Sequence, residues 1–315
     1  MQDPTYLALS NPLARPWHFT GLELVMLASL AITLAHAISR ARPGERWHLF
    51  QWLVAFLYGV AMELIAFNYL NNYDHAQFTI QLYHRKLPFY VVCLYPTLHY
   101  VGIELVQRWK LSVVSEALLT GFAICLLDIP FDVAGIAVGW WRWSSSDPIL
   151  AIRWLGVPIT SYYWYLIFGA VFALLSRLYR VKLAHRSALW FAIAPVFSIG
   201  IIVGGTIGFL PFHGLRALHV PPEAIVAAHL ALCAVLALWL RPQEARPLDA
   251  PSAIALVFAA FHVAVVVEYV ARGQSPSPLV HLATVFAAAL ATCTFVRPIP
   301  RKPARVLAAD HGGAQ

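Results

Sequence analysis

Charge is what this sequence has least of. Only 12% of its 315 residues are Asp, Glu, Lys or Arg, about half the ~25% usual in a soluble domain. With 60% hydrophobic residues and a mean hydropathy of +0.67, the deficit excludes an ordinary soluble core and points to a chain that crosses a membrane many times. The four cysteines, Cys93, Cys125, Cys233 and Cys293, each lie in an apolar run and form no CxxC pair. That excludes a disulfide framework and a zinc site. The thirteen histidines contain no HExxH and no HxxxH, and the closest pair is His213 and His219. Metal-bridging desaturase, hydroxylase and zincin chemistry is therefore not expected, and no metal is. GxGxxG, Walker A and GxSxG motifs are absent too, which disfavours nucleotide and serine-nucleophile chemistry. The net charge is +7, but no basic stripe with interleaved aromatics lies outside the apolar runs. No nucleic-acid partner is expected. A cleaved signal peptide is not expected either, because Arg40, Arg42 and Arg46 follow the first apolar stretch instead of preceding it.

What the chain has is length of apolar sequence. A span needs about 20 apolar residues, and nine are predicted: 18–39, 47–71, 87–107, 112–138, 157–179, 187–210, 220–240, 251–271 and 278–296. The expected fold is an all-α, polytopic membrane bundle in one domain over 1–296. Residues 18–180 carry the candidate site, 187–296 serve as scaffold, and 297–315 form a disordered tail. Of the 22 Lys and Arg, 15 fall in the loops after spans 1, 3, 5 and 7 and in the tail, and 7 on the other side. The positive-inside rule then places the N-terminus outside and the C-terminus in the cytoplasm, as in a multi-pass protein of the inner (plasma) membrane.

Polar residues gather at one depth. In "LLDIPFDVAGIAVGWWRW", Asp128 and Asp132 share a helical face four residues apart, with Pro130 between them. At 1.5 Å per residue they lie about 15 and 9 Å from the outer end of span 4, and Glu63 lies about 10 Å in from the outer end of span 2. Tyr95 and His99 share a face of span 3 at similar depth. The tryptophans at 140, 141 and 143 and the polar start of span 5, "GVPITSYYWY", lie on the same side. An acid at mid-helix costs about 2.5–3.5 kcal/mol on insertion scales, so these groups should face the bundle interior or water. Two carboxyls so close do not both ionise cheaply in low dielectric, and one is expected to keep its proton, as a general acid must. The bland alternatives are an acid that caps a helix or pairs with Arg, and tryptophans that form an interfacial belt. Glu104 and Glu116 sit near the cytoplasmic ends, close to Arg108 and Lys110, and read as interface trim. The cytoplasmic halves offer few other polar residues. His213, His219, Glu223, His229 and His281 read as loop or packing residues.

Residues 55–180 resemble the carotenoid hydratase family of the bacterioruberin pathway. The likeness rests on Glu63, on the Pro-containing "KLPFYVVCLYP", and on "LLDIPFDVAGIAVGWWRW…WLGVPITSYYWYLIFG". This chain has Asp128-Ile129-Pro130 where those proteins have Asp-Pro directly. "DHAQFTIQLYHRKLPFYVVCLYP" and "GVPITSYYW" also resemble a family of multi-pass proteins without an assigned function. The first resemblance implies a lipid-soluble isoprenoid substrate, protonated by a carboxylic acid and captured by water or by an internal alkene. It requires no metal or redox cofactor. The catalytic groups would be Asp128 or Asp132 with Glu63, and Tyr95, His99, Trp141, Trp143 and Tyr163 would line the pocket. Three other functions are weighed beside it. A proton-coupled transporter needs a polar path to the cytoplasm, and a non-catalytic scaffold needs none. An aromatic prenyltransferase would use Asp128-x-x-x-Asp132, with Asn71, Asn72 and Asp74 as the second diphosphate motif.

Overall fold

The computed structural model describes residues 5–41, 46–144, 148–183, 190–240, 248–273 and 292–296. Eight helices among them are long and apolar enough to cross a membrane. They are α1 (Trp17–Arg40), α2 (Trp47–Ile65, continued by a π-turn to Leu70), α3 (Phe89–Gln107), α4 (Val113–Val138), α6 (Ile159–Leu178), α7 (Trp190–Gly208), α9 (Pro222–Leu240) and α10 (Ala250–Ala271). Two short helices join them, α5 (Pro148–Ala151) and α8 (Leu210–Ala217). The ninth expected span, 278–296, lies outside the described residues except for the turn Thr292–Val296, and so does the tail, 297–315.

Local chemistry marks the helix ends. Prolines 16, 88 and 158 stand just before α1, α3 and α6, where a fixed φ and a missing N–H cost nothing. Ser112 caps α4 by accepting from Ser115 N, and Asp249 caps α10 by accepting from Ser252 N. Gly139 closes α4 in the left-handed region at φ 80°. Pro96 and Pro130 lie inside α3 and α4, which run on through them.

α4 is buried on most of its surface, as expected of a central helix. It packs on α3, α6, α9 and α10, while α7 covers α2 and α6. The α4–α6 crossing is backbone against backbone: a Cβ on Gly169 would meet the Gly121 Cα at 2.7 Å. Small residues allow such close approach in membrane helices. Gly59 on α2 plays the same part for Tyr95, whose Cβ would lie 2.3 Å from an added methyl.

At the upper end, where α1 begins, three small sheets replace the loops expected from the sequence. Strands β1 (Leu7–Leu9), β3 (Ile80–Leu82) and β4 (Leu87–Pro88) form one sheet in that order, and β6 (Arg153–Trp154) pairs with β7 (Val157–Pro158). The pair β2 (Tyr73–His75) and β5 (Trp141–Trp143) is antiparallel, with Tyr73 opposite Trp143, Asp74 opposite Arg142 and His75 opposite Trp141. Glu23 ties α1 to this region by accepting from Thr79 N at 2.8 Å.

The lower end is ionic. Glu104 and Glu116 do not pair with Arg108 and Lys110. Glu104 meets His48 of α2 at 2.7 Å, and Glu116 pairs with Arg177 and Arg180 at the far end of α6. Arg108 instead reaches across to Asp249 at 2.9 Å. Arg108 Nε meets only the Glu104 backbone carbonyl, at 3.0 Å, and each carboxylate finds its partner on another segment.

Candidate active site

A cavity of about 360 Å³ opens between α2, α3, α4 and α6 toward the upper end, and Glu63, Asp128 and Asp132 all line it. The three side chains are buried, at 2%, 4% and 4% exposure. Among the described residues that line the cavity there is no Lys or Arg. The donors are phenols. Tyr73 donates to both Glu63 oxygens at 2.8 Å, and Tyr95 donates to Glu63 Oε1 at 2.8 Å. Tyr165 donates to Asp132 Oδ2 at 2.9 Å and also faces Asp128. Glu63 thus has two hydroxyl donors to itself, while the aspartate pair shares one.

Each group is aimed by its element. Asp128 and Asp132 lie one turn apart on α4, and Ile124, a further turn down, forms part of the same wall. His99 donates from Nδ1 to the Tyr95 carbonyl at 3.0 Å, which leaves Nε2 as an acceptor. The strand pair β2/β5 roofs the cavity. Its pleat turns Tyr73, His75, Trp141 and Trp143 toward the acids and sends Asp74 and Arg142 to the exposed side. His75 shares a 3.2 Å hydrogen bond with the Tyr90 hydroxyl. Its Nε2 is shielded from solvent with no partner among the described residues, although the residue as a whole is half-buried. Burial pushes the His75 imidazole down to about 3.

Most of the residues expected from the sequence meet here: Glu63, Tyr95, His99, Asp128, Asp132, Trp141 and Trp143. The tryptophans are not an interfacial belt, since Trp140 is fully buried against His18 and Phe261 and Trp141 is only 6% exposed. Tyr163 is a correction. Its hydroxyl donates to the Gly208 carbonyl at 3.2 Å, and its ring packs on Phe212 and His229, away from the acids. Tyr165, about 200° round the helix, takes the place assigned to it. His229 is the packing residue expected, His213 is not, since it lines the mouth of the cavity, and His281 lies outside the described residues. Tyr73, His75, Tyr90, Trp164 and Tyr165 were not anticipated. The aromatic–charge–aromatic alternation of "YDH" and "WRW" was the available signal for the roof. Among the described residues no three His, Cys, Asp or Glu side chains converge as a metal site.

The fold and cavity define a multi-pass, all-α membrane protein with a buried acidic chamber. The chain belongs to the family described as a domain of unknown function (DUF7802), which it matches over residues 11–273. No curated protein and no solved structure matches it.

Proposed function

We propose that this protein is an integral membrane enzyme that protonates an alkene of an isoprenoid or carotenoid-like lipid and directs its hydration or cyclisation. One observation carries the reading: three carboxyl side chains from two helices line one aromatic-walled cavity, with phenols as their hydrogen-bond partners. Asp128 or Asp132 enters in its acid form and gives its proton to the less substituted alkene carbon. The C=C pair becomes the new C–H bond and leaves a tertiary carbocation. Tyr and Trp faces stabilise that cation, by about 0.5–2 kcal/mol per well-placed ring. Water then forms the C–O bond and returns a proton to the aspartate, or an internal alkene forms a C–C bond and a neighbouring proton is lost to it. Glu63, held by Tyr73 and Tyr95, orients the water and offsets the positive charge. The resemblance to carotenoid hydratases points the same way.

The membrane is the inner (plasma) membrane, with the upper end outside and the C-terminus in the cytoplasm. Gly273 ends the α10 segment near the upper end, where Tyr269 packs on His18, while Phe295 stacks on Trp109 at the lower end. The distribution of Lys and Arg supports this orientation.

The test is to express Asp128→Asn, Asp132→Asn and Glu63→Gln in the native host lacking the gene and to profile extractable lipids. Loss of general acid catalysis is worth about 10²–10⁴-fold in rate, so product should fall at least a hundredfold in one aspartate variant. An isoprenoid profile unchanged from wild type in all three refutes the reading.

A specific observation favours a second reading, a proton-coupled carrier. Gln51, Thr120 and Ser176, all in the lower half and at most 1% exposed, have side-chain atoms without partners among the described residues. Buried polar groups of this kind are usually satisfied by water, and a hydrated column there would supply the path that the sequence lacked. Acid-driven proton uptake into proteoliposomes, lost in Asp128→Asn, would favour the carrier over the enzyme.

A further inference from the structure

We infer that the cavity receives one end of a long apolar chain, which enters sideways from the bilayer between the upper end of α2 and the corner joining α7 to α8. The inference rests on the proposed lipid substrate for the chemistry of that end, but the route is argued from geometry alone.

The lining runs without a break from the buried carboxyls to Leu70 at the end of α2 and to Phe209 and His213 at the corner. Leu70 is 47% exposed, and next to the mouth Tyr69 is 80% and Leu210 63% exposed. Leu210 continues a stripe of exposed apolar residues along α7 formed by Val196, Ile199, Val203 and Ile207. Their spacing of three or four puts them on one face. An exposed apolar stripe running the length of a spanning helix faces hydrocarbon, so the mouth opens in the lipid-facing wall. The other way in is roofed by β2/β5, with Trp141 and the Trp143–Tyr73 contact closing it from above. Size completes the argument. The cavity is bounded, at about 360 Å³, and takes the end of a long chain without its whole length. A longer chain must leave its remainder outside, and among the described residues the mouth beside α7 offers it a way to do so.

The test uses photoreactive probes on the full-length protein in phosphatidylcholine nanodiscs. Two C20 isoprenoid alcohols carry a diazirine, one in the terminal unit and one at mid-chain, and a C10 alcohol carries it in its terminal unit. The terminal C20 diazirine should label peptides holding Tyr95 and Tyr165. The mid-chain diazirine should label peptides holding Leu70 and Phe209. The double variant Leu70→Trp/Leu210→Trp should cut equilibrium labelling of the cavity by the C20 probe at least tenfold, because indoles fill the space a threaded chain needs. Labelling by the C10 probe, which fits inside, should change less than twofold. Both positions are exposed, so the fold is retained, and Leu70→Ala/Leu210→Ala should label as wild type does. Mid-chain labelling of Tyr73–His75 or Trp141–Trp143 would overturn the route, as would a tryptophan pair that affects both probe lengths equally or neither. Labelling as expected with unchanged cell lipids in the acid variants would keep the route and sink the acid–base reading. Altered lipids with no cavity labelling would do the reverse.

Discussion

Replacing Gly121 by Ala adds one methyl at the most crowded of the described glycines. The new carbon would lie 2.1 Å from the Leu166 carbonyl oxygen, 2.9 Å from its carbon and 3.1 Å from Ala170 N. A relaxed C···O contact is about 3.3–3.6 Å, so the overlap exceeds an ångström. All three neighbours are backbone atoms, and no rotamer change relieves it, so α4 and α6 must part by about that distance. Overpacking of this kind costs about 1–3 kcal/mol, against a gain of up to ~1 kcal/mol for Ala over Gly in a helix. Tyr165 immediately precedes Leu166, so separation also draws its hydroxyl away from Asp132, 2.9 Å distant. Losing that hydrogen bond adds about 1.5–3 kcal/mol. The expected net loss is about 2–5 kcal/mol. Thermal unfolding of purified protein in detergent reads it directly. Gly214→Ala in α8 is the control, because nothing lies within 4 Å of its new methyl, and it should be neutral or up to ~1 kcal/mol more stable. A Gly121→Ala protein as stable as wild type would refute the close-crossing argument, and so would an equal loss in both variants.

At the lower end, Glu116→Gln leaves Arg177 and Arg180 without their carboxylate. Breaking a buried pair costs about 3–5 kcal/mol. The arginines keep 25% and 27% exposure, so the loss should fall near the bottom of that range in the same unfolding assay. Glu104→Gln should lose less, because the His48 ring can still hydrogen-bond to an amide. In the roof, the imidazole of His75 titrates near 6.5 when unfolded but is pushed down to about 3 when folded. The unfolded chain then binds the proton first, so this group's contribution is complete above pH 6.5 and is lost as pH falls from there toward 3. Unfolding followed from pH 7 to 4 should decline more steeply for wild type than for His75→Asn, and parallel curves would overturn the assignment.

Much of the site could be read from residues whose meaning is local. Asp128 and Asp132 lie one turn apart on one helix, and their cost in a membrane already required a polar interior. Glu63 at matching depth on another span followed from counting 1.5 Å per residue. The misses share a cause. Tyr163 and Tyr165 differ by a rotation that sequence leaves open in a helix apolar on most sides. Glu104 and Glu116 have basic neighbours in sequence, yet find their partners on α2 and α6. The roof pairs residues 73–75 with 141–143, strands of three residues separated by two spans, too short for periodicity to announce them.

Composition and hydropathy alone therefore determined that the chain is a multi-pass helical protein, and nearly where its spans lie, because the cost of an exposed peptide group in hydrocarbon is paid residue by residue along each helix. Which side chains face one another, and that phenols and not cations meet the acids, were decided only in the tertiary structure. Those features depend on how each helix is rotated and which distant segments pair, and that is set by the packing of all the helices together.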